Sequence, residues 1–140
     1  MAATVRDVMS APPHTAAPDT TLAEIARTMR DEDIGDVLIV EGDRLRGLVT
    51  DRDLAVRCVA EGADCSTATV ADAFTAPTVS IAPEEHVNNA VRLMREHSIR
   101  RLPVVEQGRP LGVVSLGDLA LERDPRSVLA DISAADGSDV

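Results

Sequence analysis

The stretch GLVTDRDLA at Gly47–Ala55 returns as GVVSLGDLA at Gly112–Ala120, 65 residues further along the chain. Sliding the sequence by 65 pairs Thr4–Ala55 with Thr69–Ala120 without a gap, and 19 of the 52 pairs are identical by direct count. The matches include Asp7 with Asp72, Pro12 with Pro77, Met29 with Met94, Ile34 with Ile99 and Asp53 with Asp118. Such a duplication dictates two similar folded motifs. The period is longer than that of solenoid repeats and occurs only twice, so the two motifs are expected to pack about a pseudo-twofold axis. On sequence the divisions are 1–65 for the first motif with its linker, 66–123 for the second, and a frayed tail at 124–140.

Each half changes hydrophobic period in the same order. Leu22, Ile25, Ala26 and Met29 fall at i, i+3, i+4 and i+7, the stripe of an amphipathic helix, and Asp19 or Thr20 is placed to cap it. Val87, Ala90, Val91 and Met94 repeat that stripe. The runs VLIV (37–40) and LPVV (102–105) read as buried strands, the turns EGDR and EQGR follow, and RGLVT and LGVVS complete hairpins. DLAVRCVAEG and DLALERD then open helices. With short strands around 14–17 and 79–82, each half reads β-α-β-β-α, an α/β (α+β) class.

Composition narrows the functions. The net charge of −10 opposes nucleic acid and anionic membrane as partners, because affinity for both rests on neutralising phosphates. All basic residues are Arg, so Schiff-base chemistry and a Walker-type loop are excluded. No apolar run approaches the roughly 20 residues of a spanning helix, and MAATVRDVMS lacks the apolar core of a secretory signal. A cytoplasmic protein is expected. Cys58 and Cys65 form no C-x-x-C pair and are expected as free thiols, Cys58 as a small core residue. His14, His86 and His97 share no ligand spacing, so no metal is expected.

The repeated stretch has two physical readings. Thr50 and Ser115 follow a strand and precede a helix, where a hydroxyl caps a free N–H and the carboxylate three residues on favours the positive helix end. Capping alone accounts for Thr50, Asp53, Ser115 and Asp118. The same geometry also suits a ribose phosphate: helix N–H groups and the hydroxyl take phosphate, and an ionised carboxylate accepts from two vicinal ribose hydroxyls. Gly47 and Gly112 mark a bulge or a close backbone approach.

The duplicated unit, the G-h-h-[ST]-x-x-D pattern at Gly47–Asp53 and Gly112–Asp118, and IRRLPVV at Ile99–Val105 resemble a tandem cystathionine-β-synthase-type (CBS) domain pair, or Bateman module. The TDRD and MRDEDIG wording is similar to that of small stand-alone bacterial pairs. The resemblance implies two β-α-β-β-α motifs, a disc-shaped homodimer and adenosine-containing ligands, AMP, ADP or ATP foremost, in clefts between motifs. It implies no required cofactor. Carried over by position, a main site would use Asp118 for ribose, Ser115, Arg100 and Arg101 for phosphate, and Thr15, Ala16, Ile34, Gly35 and Val37 for the base. A second site would use Asp53, Thr50 and Arg52, with Ser80, Ile81, Ile99 and Leu102 around the base. At the places of Arg100 and Arg101 the first motif has Gly35 and Asp36, so the second site lacks the cationic pair.

No nucleophile is paired with a base in either motif, and an enzyme is not expected. A ligand-sensing regulatory module acting through an effector protein is the preferred reading. A scaffold that keeps the fold without using the clefts is the alternative.

Overall fold

The computed structural model describes residues 3–74 and 79–123, and the tail expected at 124–140 lies outside the described residues. Helix α1 (Val5–Val8) precedes β1 (Thr15–Ala16), α2 (Leu22–Glu32), β2 (Asp36–Glu41), β3 (Arg44–Thr50) and α3 (Asp51–Leu54), which a π turn at Ala55–Val59 continues. A 3-10 turn at Val70–Asp72 leads to α4 (Val87–His97), β4 (Arg101–Glu106), β5 (Arg109–Ser115) and α5 (Leu116–Arg123). The expected α+β class is observed, each motif carrying the predicted helix and hairpin.

The amphipathic stripes do their packing as the spacing dictates. Helix α2 buries Leu22, Ile25 and Met29, and α4 buries Val87, Ala90 and Met94. Ala26, at the edge of the first stripe, is exposed. The cap of α2 is Thr21, whose hydroxyl accepts from the Glu24 amide at 3.2 Å, and neither Asp19 nor Thr20 serves. The reason is local: the Thr20 amide bonds back to the Ala17 carbonyl and its own carbonyl accepts from Val70, so the chain enters the helix one residue later. Both helices end on a left-handed residue, Asp33 at φ 56° and Ser98 at φ 54°, so the chain reverses directly into β2 and β4.

Strands β2 and β3 pair antiparallel from Asp36–Thr50 to Glu41–Arg44, with β1 parallel on the far side of β2. Strands β4 and β5 repeat the hairpin from Arg101–Ser115 to Glu106–Arg109. In both, the register slips just after the glycine, after Ile39–Gly47 and after Val104–Gly112. The strand expected at 79–82 contracts to one parallel bridge, Ile81 with Val104, held by Ile81 N–H to the Pro103 carbonyl at 3.0 Å and Val105 N–H to the Ile81 carbonyl at 2.9 Å.

The compact units cut across the sequence repeats. Residues 14–74 form one, called here the β1–β3 unit, and residues 3–13 fold with 79–123 as the β4–β5 unit. Helix α1 is stitched to the second motif: Val5 and Arg6 amides donate to the Glu85 and Pro83 carbonyls at 2.8 and 2.9 Å, and Val5 is fully buried among Val87, Ala90 and Leu102. The equivalent segment of the second repeat is stitched to the first motif, with the Val70 amide on the Thr20 carbonyl at 2.9 Å and Val70 and Ala73 in the core with Ile25 and Val49. The leading segments are exchanged between the repeats. Each therefore reaches over the other motif's glycine. A Cβ at Gly47 would enter the Phe74 ring, and one at Gly112 would lie 2.5 Å from the Ser10 carbonyl oxygen and 3.0 Å from Met9 Sδ. Met9 and Phe74 occupy the same position in the repeat. Both earlier readings of these glycines, bulge and close approach, hold together.

One expectation is overturned in the β1–β3 unit. Cys58 and Cys65 are not free thiols but a disulfide, with Cα atoms 6.4 Å apart. The π turn and the left-handed Gly62, φ 70°, fold the linker back under the helix and bring Cys65 onto the buried Cys58.

Candidate functional site

Both copies of the repeated stretch end a strand and begin a helix. At the end of β3, Thr50 Oγ1 accepts from the Asp53 amide at 3.1 Å, and Asp53 Oδ2 accepts from the Thr50 amide at 2.9 Å. At the end of β5, Ser115 Oγ accepts from the Asp118 amide at 3.1 Å, and Asp118 Oδ2 accepts from the Ser115 amide at 2.9 Å. These are reciprocal capping boxes, with aspartate in the place usually held by glutamate. The capping reading is thus realised twice. It leaves chemistry over, because a carboxylate has about four acceptor positions and a hydroxyl that accepts from an amide still has its own proton to donate. All four side chains are partly solvent-accessible.

The surroundings of the two boxes differ. In the β4–β5 unit, Arg101 pairs with Ser115 across the hairpin, and the Leu116 amide donates to the Arg100 carbonyl at 2.8 Å. Two arginines, distant from the box in sequence, therefore share its end of the hairpin. Arg100 is exposed and Arg101 half-buried. In the β1–β3 unit the same backbone places belong to Gly35, whose carbonyl accepts from the Asp51 amide at 3.0 Å, and Asp36, paired with Thr50. That end carries a carboxylate where the other carries a cation.

A residue missed from sequence, Arg57, partly offsets this. Its Nε lies 4.0 Å from Asp53 Oδ1, and Nη1 donates to the Phe74 carbonyl at 3.3 Å and, more weakly, the Ala73 carbonyl at 3.5 Å. The i,i+4 spacing from Asp53 was the available signal. The equivalent of Arg57 in the second motif is Glu122. Arg52, at the start of α3, is exposed.

The residues expected around a base divide by unit. In the β1–β3 unit, Thr15 is exposed on β1, Ala16, Ile34 and Gly35 are partly exposed, and Val37 is sealed in the core at 1% exposure. In the β4–β5 unit, Ser80 is exposed, Ile99 partly so, and Ile81 and Leu102 are buried core residues. Val37, Ile81 and Leu102, expected beside a base, are therefore core residues with almost no accessible surface. The main set of expected residues draws on both units, with Asp118, Ser115, Arg100 and Arg101 from one and the five base-side positions from the other.

Two copies of an α+β motif, each closing on a hydroxyl and carboxylate at a strand-to-helix junction, define a tandem pair of one repeated domain. The chain belongs to the CBS domain family, which matches residues 5–59 and 70–124. Among relatives, the CBS domain-containing protein YhcV of Bacillus subtilis is 39% identical over 119 residues, covering 85% of this chain and 84% of its own. Hypoxic response protein 1 of Mycobacterium tuberculosis is 31% identical over 132 residues, 94% of this chain and 92% of its own. A crystal structure of Hypoxic Response Protein I with two coordinated zinc ions superposes with a TM-score of 0.77 at 34% identity, over 84% of this chain and 97% of that one. The CBS domain pair of protein MJ0100, crystallised with 5'-methylthioadenosine and S-adenosyl-L-methionine, shares the fold at a TM-score of 0.81 and 24% identity, over 91% of this chain and all of that one. No helix among the described residues is long and apolar enough to cross a membrane.

Proposed function

We propose that this protein is a non-enzymatic regulatory module that binds an adenosine-containing ligand, AMP, ADP or ATP foremost, and passes the bound state on through conformation or assembly. The observation that carries this reading is the junction at the end of β5, where the Ser115–Asp118 box stands beside Arg100 and Arg101. Asp118 is suited to ribose hydroxyls, and Ser115 with the two guanidinium groups to phosphate. The adenosyl ligands of the MJ0100 pair belong to a protein alike in fold, and they guide the choice of ligands to test. Binding to the folded state alone stabilises by mass action, by about 2.7 kcal/mol at a hundred times Kd, and so raises the melting temperature. Nucleotide-stripped protein is therefore expected to melt several degrees higher with at least one of AMP, ADP, ATP or S-adenosylmethionine at millimolar concentration. Unfolding is best followed by circular dichroism, since the chain has no Trp or Tyr. A panel entirely without effect would favour the scaffold reading, to which the capping boxes also answer.

A homodimer accompanies this reading. In the β4–β5 unit a groove of about 240 Å³ lies between α4 and α5, lined by Val91, Met94, Arg95, Ile99, Leu116 and Leu119. Leu116 is 43% exposed there, and a second copy would cover it. Light scattering at micromolar concentration is expected to give twice the chain mass, and Leu116→Asp to give the chain mass. A wild-type monomer would remove the dimer and leave the motif pair intact.

A further inference from the structure

We infer that Cys58 and Cys65 form a reversible redox clasp, opened and closed by exchange with a low-molecular-weight thiol–disulfide couple, that sets how firmly the 65–71 segment is held against helix α2. The two cysteines of the chain are both in this one bond. Cys58 is fully buried in the core of the β1–β3 unit, while Cys65 is partly exposed and packs against that core from the linker.

The linker is a working part of the unit. The Cys65 and Ala68 carbonyls accept from the Ala23 and Leu22 amides, each at 2.9 Å, and so satisfy two of the amides that the first turn of α2 leaves without helical partners. Beyond them, Val70 and Ala71 amides donate to the Thr20 and Pro18 carbonyls at 2.9 and 3.1 Å. The disulfide anchors the start of this stitched segment to the helix that follows β3. A local turn shapes the approach: the Ser66 hydroxyl and amide donate to Asp64 Oδ1 at 2.6 and 3.0 Å and hold the Asp64 carboxyl below its ordinary value. The second repeat has no counterpart, since the equivalent positions are Arg123 and Ala130. Only one of the two motifs is clasped in this way.

Exposure orders the chemistry. From the dithiol, the Cys65 thiolate attacks one sulfur of a small disulfide such as oxidised glutathione, forming a mixed disulfide and releasing one small thiol. The Cys58 thiolate then attacks Cys65 Sγ, forming the intramolecular bond and releasing the second. The protein loses two protons and two electrons, and these convert one small disulfide into two small thiols. Excess small thiol runs the sequence backwards.

The bond spans a sequence separation of only 7, and closing so short a loop restricts the open state by roughly tenfold to a hundredfold in equilibrium terms. The full chain would be equilibrated in glutathione buffers from fully reduced to fully oxidised, quenched in acid, alkylated and weighed, with amide hydrogen exchange measured on the same samples. The expected result is a transition from two alkylated thiols to none within that range. Exchange at Leu22, Ala23 and Val70 should be at least tenfold faster in the dithiol form, while Val5 and Arg6 in the other unit keep their rates. Cys65→Ser should exchange like the dithiol form in every buffer. A pair that stays oxidised at every ratio, or reduced at every ratio, overturns the clasp. So does equal exchange at those three amides in the two wild-type forms.

Discussion

Arg101→Ala or Asp118→Asn is expected to weaken adenine-nucleotide binding by well over tenfold in calorimetry, while Asp53→Asn leaves the stoichiometry and affinity of the tight site unchanged. Charge-assisted hydrogen bonds contribute about 1.5–3 kcal/mol each, and 1.4 kcal/mol is a factor of ten. Arg100 and Arg101 stand beside the Ser115–Asp118 box, whereas Gly35 and Asp36 stand beside the Thr50–Asp53 box. Capping predicts another pattern, because both carboxylates receive the same amide bond at 2.9 Å. If the boxes only cap, Asp53→Asn and Asp118→Asn lower the melting temperature alike and neither changes affinity selectively. A larger binding loss from Asp53→Asn would reverse the assignment. Arg57, already within 4.0 Å of Asp53, would then join Arg52 as the candidate for phosphate.

Gly112→Ala is expected to cost about 2–4 kcal/mol, a fall in melting temperature of roughly 10 °C. The new Cβ meets backbone, the Ser10 carbonyl oxygen, and that oxygen already accepts from the Val113 amide at 3.0 Å while the Ser10 amide donates back to Val113 at 2.9 Å. Moving Ser10 away breaks this pair. Gly47→Ala meets a side chain instead, the Phe74 ring, so Phe74→Leu should recover part of its loss. No side-chain change should rescue Gly112→Ala. Equal rescue at both positions, measured by thermal denaturation, would show that the contacts at Gly112 yield as readily as a side chain does.

Much of the fold was legible because its signals are local and doubled. The i, i+3, i+7 spacing of Leu22, Ile25 and Met29, and the β-rich runs joined by Gly42 and by Gln107–Gly108, specify helix and hairpin without reference to anything distant. The boxes were legible for the same reason, each being a contact over three residues. What escaped was long-range. Nothing in the sequence of α1 says that Val5 is buried against Val87 and not within its own repeat, since the two motifs are similar enough to accept either segment by pattern alone. The disulfide was missed because its geometry depends on a π turn, and a single residue of extra winding leaves no mark on hydrophobic spacing. At the candidate site, the pairing of Arg101 with Ser115 required the hairpin register, and the burial of Val37 and Leu102 required the packed core.

The exchange of leading segments sets an order of events for a chain made from its N-terminus. All described residues of the β1–β3 unit have been synthesised once Phe74 has emerged, and its core can close at that point. Helix α1, made first, finds its partners last: Val5 must wait for Val87 and Leu102, and Ser10 for Val113. The β4–β5 unit thus closes one of the longest loops available to this chain, with a completed unit already inside it, and loops of that length close slowly relative to local contacts. Until then the apolar face of α1 has no home. Nascent chains halted before Leu102 should present Val5 and Val8 to a chaperone while their β1–β3 unit already resists protease.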